Sequence, residues 1–271
     1  MERNGATPTL RAIGIIGGMG PYAGLDLVRK IFDNTIASKD QEHLPVTLLS
    51  YPHLIIDRST YIFGQTDENP AYALAEIARK LEANGAVVAA MPCNTAHAPM
   101  IYDVLVDELR KSGNSIRMLS MIEETARFVQ EEMAGLQRVG ILSTVATYNL
   151  GLYSNALRAS GIEPVLPDED VKVHLVNRTI FDETFGIKAR ANPVTQTARQ
   201  NLLDAIEHLQ EKGAEAIILG CTELPLAITE PQIGSVVMID PTVVIARALI
   251  RHTYPDRLKP FEISAPLETG T

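Results

Sequence analysis

The sequence has no tryptophan, few aromatic residues of any kind and only two cysteines. Aromatic side chains make up 5% of its 271 residues, whereas the apolar residues together account for 46%. This composition is typical of an α/β protein with an aliphatic core, and it excludes a disulfide-stabilised scaffold. No apolar run approaches the roughly 18 residues of a membrane span, so we expect no membrane partner.

The sequence also lacks an excess of positive charge. Its formal net charge is -9 at pH 7, and its lysines and arginines do not cluster, so we expect no nucleic-acid partner. A small anionic substrate is compatible with this balance, because a few local cations can oppose the net charge. The two cysteines lie far apart and form no CxxC motif, which favours free thiols in a reducing cytoplasm.

Short aliphatic segments alternate with longer segments of helical period. This order is typical of βαβ units, in which helices cover a sheet of parallel strands, and it predicts an α/β fold. The predicted strands are residues 12–17, 46–51, 87–93, 117–122, 139–143, 163–166, 216–221 and 236–239. The predicted helices are residues 21–35, 70–84, 98–111, 123–133, 147–159, 171–185, 193–212 and 241–251.

Proline and glycine mark the ends of several predicted helices. Proline suits the first helical turn, where its missing N–H group has no partner to lose, and glycine suits the position after the last turn. The prolines at helix starts are Pro21, Pro70, Pro193 and Pro241. The glycines at helix ends are Gly85, Gly113, Gly135, Gly161 and Gly213.

An internal repeat relates the two halves of the chain. Residues 81–86 align with residues 209–214, and each segment is followed by an aliphatic strand that leads to a cysteine, Cys93 or Cys221. Gly14 lies in an upstream strand 79 residues before Cys93, and Gly140 lies in a similar strand 81 residues before Cys221. The repeat predicts two similar α/β lobes, each with a strand that ends at a cysteine.

The repeat also predicts where the lobes divide. The second copy ends before residue 230, yet a strand and a helix remain, and we expect both to return to the first lobe. The prediction is a discontinuous first lobe of residues 1–122 plus 230–271 and a second lobe of residues 123–229. The chain from Pro260 onward is rich in proline, glutamate and threonine, which predicts a poorly ordered tail.

Cys93 and Cys221 are the strongest candidates for chemistry. Parallel sheets bind ligands at the carboxyl ends of their strands, and both cysteines are predicted there. Short hydrogen-bonding residues follow each sulfur, namely Asn94 and Thr95 in one lobe and Thr222 in the other. Because the lobes are related, we expect both sulfurs to face one cleft.

Two facing thiols are suited to redox chemistry or to proton transfer. The cysteines of a dithiol redox pair are usually close in sequence, and these two are not. In proton transfer, a thiolate on one side of a carbon atom removes a proton and a thiol on the opposite side returns one, which is what a racemase needs. The pattern therefore favours proton transfer.

Three further motifs have competing interpretations. The Gly-rich loop 17–21 matches a dinucleotide fingerprint, but the acidic residue expected after the next strand is missing, which favours a nest of N–H groups for a small carboxylate. His97 has zinc-ligand spacing from Cys93 without further ligands nearby, so we expect no metal and a role in tuning Cys93 or capping a helix. Glu223 is either a solvated loop carboxylate or the group that holds the proton of Cys221.

Six motifs occur in a characteristic order along the chain. They are Gly14-Ile-Ile-Gly-Gly-Met-Gly-Pro21, Asp40-Gln-Glu-His-Leu-Pro45, Asp57-Arg58, Met91-Pro-Cys-Asn-Thr-Ala-His97, Met121-Ile-Glu-Glu-Thr125 and Gly220-Cys-Thr-Glu-Leu224. Together they resemble the cofactor-independent aspartate/glutamate racemase superfamily, and most of all its aspartate racemase branch. The resemblance implies two α/β lobes related by pseudo-twofold symmetry, an active site in the cleft between them, a homodimer, and no pyridoxal phosphate or metal.

The resemblance also implies roles for individual residues. Cys93 and Cys221 match the two acid/base thiols, and Arg58 and Lys188 resemble the residues that hold the side-chain carboxylate of a dicarboxylic amino acid. The candidates for holding the α-carboxylate are the backbone near Met19 and the side chains of Asn94, Thr95, Thr144, Thr147 and Thr222. Thr147 has the alternative role of an ordinary helix cap.

The motifs leave the substrate open. Glycine and Glu223 stand where glutamate racemases tend to carry an acid and a histidine, which favours aspartate, but Tyr22 and residues 111–117 are unlike aspartate racemases. The alternatives are glutamate or a broader amino-acid range, or another reaction of the superfamily. That group includes maleate isomerases, hydantoin racemases and arylmalonate decarboxylases, the last of which need only one thiol. An alternative of another class is a non-catalytic amino-acid binding protein.

Overall fold

Two sheets whose parallel strands follow the same order form the centre of the protein. The structure is a computed structural model, and it describes residues 11–261. The first sheet has the order β2-β1-β3-β4 and the second has the order β6-β5-β7-β9-β8. All neighbouring strands are parallel except β8 and β9. The strands are β1 (Ala12–Gly17), β2 (Val46–Ser50), β3 (Ala86–Ala90), β4 (Arg117–Met118), β5 (Arg138–Ser143), β6 (Glu163–Val165), β7 (Ala216–Gly220), β8 (Gln232–Ile233) and β9 (Val236–Ile239).

Helices cover both faces of each sheet. They are α1 (Pro21–Asp33), α2 (Arg58–Ile62), α3 (Ala71–Ala83), α4 (Pro99–Lys111), α5 (Met121–Glu132), α6 (Val145–Asn149), α7 (Leu152–Ala159), α8 (Arg178–Phe181), α9 (Gln196–Glu211), α10 (Leu224–Ala227) and α11 (Pro241–Thr253). Apolar side chains of α3 and α4 pack on one face of the first sheet, and those of α1 and α11 pack on the other. Helix α9 packs on one face of the second sheet, and α5 and α7 pack on the other. The α/β fold with two lobes is therefore as predicted.

The internal repeat is visible in how each lobe packs a glycine. A Cβ added to Gly14 would lie 3.1 Å from the Cβ of Ala86, and a Cβ added to Gly140 would lie 3.1 Å from the Cβ of Ala214. These two alanines are equivalent in the repeat. The same close contact between a central strand and the start of its neighbour therefore recurs in both lobes.

Most predicted helix boundaries agree with the structure. Pro21 and Pro241 are the first residues of their helices, Pro70 immediately precedes α3, and Pro193 lies ahead of α9, whose N-cap is Thr195. The glycines predicted at helix ends all have positive φ, which a side chain with a Cβ rarely adopts. They are Gly85, Gly113, Gly135, Gly161 and Gly213.

Two predicted helices are interrupted. The helix expected at residues 147–159 is two helices, α6 and α7, separated at Gly151, which has a φ of 63°. The helix expected at residues 171–185 is a π-helical segment, Val171–Asn177, followed by the short α8 and then by turns. Apolar periodicity alone does not detect such breaks, because the buried face continues across them.

The boundary of the strand expected at residues 117–122 is wrong. Strand β4 contains two residues, and α5 already begins at Met121, where the Ser120 side chain accepts a hydrogen bond from the Glu123 N–H group. A serine that caps a helix can end a preceding strand in this way.

The strand at residues 236–239 does not return to the first lobe, contrary to our expectation. It is β9, which pairs with β7 and so extends the second sheet. Helix α11 does pack on α1 of the first lobe, and buried Lys30 of α1 pairs with both Asp26 and Asp240, the N-cap of α11. The exact division of the chain into lobes stays a prediction, and most of the tail predicted from Pro260 lies outside the described residues.

Candidate functional site

The two cysteines line one cleft between the lobes. Cys221 directly follows β7, and Cys93 follows β3 after two further residues. Both are free thiols with 6% of their surface exposed. The cleft has a volume of about 20 Å³. The other predicted site residues that line it are Met19, Arg58, Asn94, Thr95, Thr144, Lys188, Thr222 and Glu223. The topology thus brings together residues from almost the whole chain.

Asn94 lines the cleft, and the two ends of its side-chain amide differ in their partners. Its side-chain oxygen accepts a hydrogen bond from the hydroxyl of Tyr153, a fully buried residue of α7 in the second lobe. Its Nδ2 atom is buried, and among residues 11–261 it has no hydrogen-bond partner. A buried donor without a partner is unfavourable unless a ligand satisfies it, so this amide is suited to bind an anionic group.

Three threonine hydroxyls meet across the lobes. Oγ1 of Thr95 lies 3.3 Å from Oγ1 of Thr144 and 3.1 Å from Oγ1 of Thr147. The helix cap in this cluster is Thr144, whose Oγ1 accepts the N–H of Thr147, so the alternative role of Thr147 as the cap is wrong. Thr147 does not line the cleft but contacts the two threonines that do.

Glu223 bridges Cys221 and Lys188. The Cys221 thiol donates a hydrogen bond to Oε2 of Glu223 at 3.0 Å, and Nζ of Lys188 donates to Oε1 at 2.9 Å. The carboxylate is buried at the site, so a solvated loop carboxylate is the wrong interpretation. Sequence proximity to Cys221 identified Glu223, whereas its pairing with Lys188 is a tertiary contact.

Cys221, Glu223 and Lys188 form a triad in which burial and the charges of the partners shift the pKa of each group. Burial, and then the Glu223 charge, raise the pKa of Cys221 well above its ordinary value. Burial would raise the pKa of Glu223, but Lys188 and the Cys221 thiol outweigh burial and hold it below its ordinary value. Burial would lower the pKa of Lys188, but Glu223 and Cys221 raise it instead. Glu223 is therefore a carboxylate and Lys188 a cation at neutral pH, and Cys221 is a thiol.

A compact turn after α8 places Lys188 at the cleft. The Ile187 and Lys188 N–H groups donate to the carbonyl groups of Thr179 and Ile180 at 2.9 and 3.1 Å. A Cβ on Gly186 would lie 2.5 Å from the carbonyl oxygen of Asp182, so only glycine allows this close approach.

Arg58 supplies a second cation, held at the start of α2. Asp57 caps this helix by accepting the Thr60 N–H at 3.0 Å, and it lies 3.8 Å from the Arg58 guanidinium. Burial would lower the pKa of Arg58, but its interactions with Cys93, Asp57 and Glu223 raise it. The Arg58 Nε atom is buried without a hydrogen-bond partner in the described part of the chain.

Thr222 holds the two lobes together at the sulfurs. Its hydroxyl donates a hydrogen bond to the carbonyl oxygen of Pro92, at 3.1 Å, and Pro92 precedes Cys93. This proton is already used inside the protein, so the Thr222 side chain fixes the backbone beside Cys93.

The Gly-rich loop lies beside the acidic member of the triad. A Cβ on Gly20 would lie 3.2 Å from Oε1 of Glu223, and buried Met19 lines the cleft. A carboxylate so close to the loop is unfavourable both for the phosphate groups of a dinucleotide and for the small carboxylate that we expected there.

His97 connects Cys93 to α5 through its imidazole ring. Its Nδ1 atom lies 2.9 Å from the Cys93 carbonyl oxygen, and Nε2 accepts the Met121 N–H at 3.1 Å. The first contact requires a proton on Nδ1 and the second requires a lone pair on Nε2, so the ring is neutral. Burial lowers the pKa of His97 to about 4. His97 therefore caps α5, as one of its two expected roles requires, and contacts the backbone of Cys93, not its sulfur.

Four residues near the cleft were not among the predicted site residues. Asp57, Ser59 and Phe181 line it, and Tyr153 donates a hydrogen bond to Asn94, which also lines it. Asp57 adjoins Arg58 in the motif and could have been found from it. Nothing in the local pattern marks Tyr153 or Phe181, because each is defined by a partner distant in sequence.

Residues 11–261 contain neither a candidate metal-ion cluster nor a helix suited to span a membrane. No group of three or more histidine, cysteine, aspartate or glutamate side chains in this range is arranged to hold a metal ion. In the same range, no helix has both the length and the apolar character needed to cross a membrane.

The fold and the site together define a class of protein. It has two repeated α/β lobes, each of which contributes one cysteine from a strand end to a shared cleft that also contains two cations. Residues 16–249 match the model of the Asp/Glu/hydantoin racemase family. The chain belongs to this family, as the motifs led us to expect, and it is an amino-acid racemase.

Individual relatives agree with this assignment. A solved structure of Picrophilus torridus aspartate racemase is similar to this chain with a TM-score of 0.75 and 30% identity, covering 92% of this chain and 96% of the other. An aspartate racemase homologue from Pyrococcus horikoshii has a TM-score of 0.68 and 27% identity, covering 90% and 99%. The broad specificity amino-acid racemase RacX of Bacillus subtilis is 28% identical over 247 residues, covering 88% of this chain and 96% of RacX.

Proposed function

We propose that this protein interconverts L- and D-aspartate by proton transfer at Cα between Cys93 and Cys221, without a cofactor. The observation that carries the proposal is that both thiols line one cleft that also contains Arg58 and Lys188. Two proton-transfer groups and two cations are the groups that racemisation of a dicarboxylic amino acid requires.

The proposed reaction removes the proton from one face of Cα and delivers another proton to the opposite face. A thiolate takes the Cα proton, so that a C–H bond breaks, an S–H bond forms, and the electron pair is shared with the α-carboxylate. The opposite thiol then gives its proton to the other face of Cα and becomes the thiolate. The hydrogen bond between Cys221 and Glu223 supports a state in which Cys221 is the thiol and Cys93 is the base.

Stabilisation of the carbanion depends on donors aimed at the α-carboxylate. The candidates are Asn94 Nδ2, which is buried without a partner, and the hydroxyls of Thr95 and Thr144. A well-placed donor of this kind contributes about 3 to 4 kcal/mol to transition-state stabilisation. Thr147 and Thr222 are proposed to act through their neighbours, and the Met19 backbone is a further candidate donor.

The side-chain carboxylate is proposed to bind between Arg58 and Lys188. The free Nε of Arg58 supports this role, because an anionic group would satisfy it. Lys188 is already paired with Glu223, so a substrate carboxylate would share or replace that partner.

A second candidate function is racemisation of a broader amino-acid range. It is favoured by the similarity to the Bacillus subtilis racemase described as having broad specificity. The pairing of Lys188 with Glu223 also favours it, because this cation does not depend on a substrate carboxylate.

Incubation of L-aspartate with the protein in deuterated water tests the proposal. We expect D-aspartate to appear with deuterium at Cα, as measured by chiral chromatography and by loss of the Cα proton signal. The variants Cys93→Ala and Cys221→Ala, each with an unchanged circular dichroism spectrum, should fail to racemise. Full activity in either variant would remove that cysteine from the mechanism.

A binding protein would give a different result in the same experiment. It would be stabilised against heat by aspartate but would exchange no deuterium. A panel that includes glutamate, maleate and a substituted hydantoin separates aspartate racemisation from the related reactions.

We further propose a homodimer in the cytoplasm. The two free thiols support the cytoplasm, because it is a reducing compartment. Size-exclusion chromatography with light scattering would measure the mass of the protein in solution and so test the dimer.

A further inference from the structure

A second cavity adjoins the cleft that contains the thiols. It has a volume of about 220 Å³, against about 20 Å³ for the thiol cleft. The two cavities share four residues, Met19, Arg58, Lys188 and Glu223, which form a partition between them. The remaining wall of this outer cavity consists of the glycine backbone of the Gly-rich loop and of Pro21, Tyr22, Ile187, Ala191 and Leu226.

The thiol cleft alone is too small for an amino acid. A volume of about 20 Å³ has room for about one water molecule. With Cα between the sulfurs, the substituents of the substrate must enter adjoining space. The outer cavity provides this space, and any side chain that reaches past the partition enters an apolar environment.

The charges of the partition do not require an anionic side chain. A site rejects substrates that lack a polar group when its own buried polar groups are then left unpaired. Here Lys188 is paired with Glu223 at 2.9 Å, and the Arg58 guanidinium has Asp57 at 3.8 Å. Among the buried side-chain atoms described in the partition, only Nε of Arg58 lacks a hydrogen-bond partner. A substrate with a neutral side chain therefore leaves one N–H donor unsatisfied, but it leaves neither cation without an acidic neighbour.

We infer that the outer cavity is a side-chain subsite that admits amino acids with long, uncharged side chains, with methionine as the representative. This inference rests on the proposed racemase activity and goes beyond it by naming the subsite and the chemical class of side chain. Aspartate binds at the partition, whereas methionine extends through it and contacts Tyr22, Ala191 and Leu226.

The experiment compares two substrates in variants that fill the outer cavity. Ala191 lines the outer cavity and not the thiol cleft, so Ala191→Phe, or the milder Ala191→Leu, reduces its volume. Ala189→Phe is the matched control, because Ala189 is exposed on the same turn and lines neither cavity. Racemisation and Cα deuterium exchange are measured with L-aspartate and L-methionine.

We expect the wild-type protein to exchange both substrates. Ala191→Phe should lower kcat/KM for methionine about tenfold and that for aspartate less than about twofold, while Ala189→Phe changes neither. Exchange of aspartate without any exchange of methionine in the wild type overturns the inference and leaves the proposed function intact. An equal loss for both substrates in Ala191→Phe also overturns it, because the cavity is then only the entrance. Exchange of neither substrate in the wild type overturns the racemase proposal and this inference with it.

Discussion

The hydroxyl of Tyr153 in the second lobe donates a hydrogen bond to the side-chain oxygen of Asn94 in the first lobe. The two residues are 59 positions apart, and Asn94 adjoins Cys93. The bond holds the oxygen of the Asn94 amide on Tyr153, and it leaves Nδ2 of this cleft-lining residue buried without a partner among the described residues. A contact between the lobes thus positions a donor at the site.

Tyr153→Phe should weaken substrate binding. Loss of the hydroxyl leaves the buried Asn94 oxygen without a donor, so the amide can turn and Nδ2 is no longer held in its present orientation. We expect a loss of kcat/KM for aspartate of about tenfold and a decrease in the free energy of unfolding of about 1 to 3 kcal/mol. Steady-state kinetics and urea denaturation measure the two effects.

Tyr148→Phe is the matched control for that substitution. The Tyr148 hydroxyl donates to the Ile141 carbonyl at 2.9 Å and accepts the Ser143 N–H at 2.8 Å, within the second lobe. It should lose stability with little loss of activity. Equal kinetic losses in the two variants would show that Tyr153 acts only through stability.

Glu223→Gln should lower the pKa of Cys221. Burial raises this pKa most and remains, but the next largest contribution is the Glu223 charge, which the substitution removes. In a Cys93→Ala background, the pH midpoint of alkylation by iodoacetamide should therefore move to lower pH. Glu215→Gln, at an exposed glutamate near the opposite end of β7, is the control, and an unmoved midpoint in Glu223→Gln would contradict the electrostatic account.

His97 should make the stability depend on pH. Its pKa is about 4 in the fold and 6.5 without burial, so the unfolded chain binds a proton that the folded chain does not bind between these values. The stability is fully present above pH 6.5 and is lost as the pH falls toward 4, by about 3 kcal/mol for this residue.

His97→Gln tests this dependence by urea denaturation from pH 7 to pH 4. The variant should be less stable at pH 7, because the contacts with Cys93 and Met121 are altered, but its stability should fall less steeply with acid. His53→Gln, at an exposed histidine, should leave the wild-type slope unchanged. Parallel slopes for the wild type and His97→Gln would refute the assignment.

Gly140→Ala should destabilise the second lobe. Its Cβ would lie 2.9 Å from Cγ1 of Ile217, and such overpacking costs about 1 to 3 kcal/mol. Gly14→Ala should cost less, because its nearest contacts are at 3.1 Å. In an Ile217→Ala background, which lacks Cγ1, the cost of Gly140→Ala should decrease, and thermal unfolding of the four proteins measures this coupling.

The amino-acid sequence by itself determined the features that depend on neighbouring residues. Alternation of apolar and helical segments predicted the α/β class and the bounds of β1, because side-chain periodicity is a local property. The glycines at helix ends were predicted for the same reason. The repeat predicted that two equivalent strands lead to Cys93 and Cys221, and both cysteines do line one cleft.

Only the tertiary structure decided which distant groups meet. The periodicity of residues 236–239 predicts a strand but not its partner, and only the fold shows that β9 pairs with β7 of the second sheet. The same holds for Tyr153 as the partner of Asn94 and for Lys188 as the partner of Glu223. Local patterns determine where a helix or strand forms, whereas the partners of a buried polar group depend on how the lobes pack, and at this site those partners set charge and orientation.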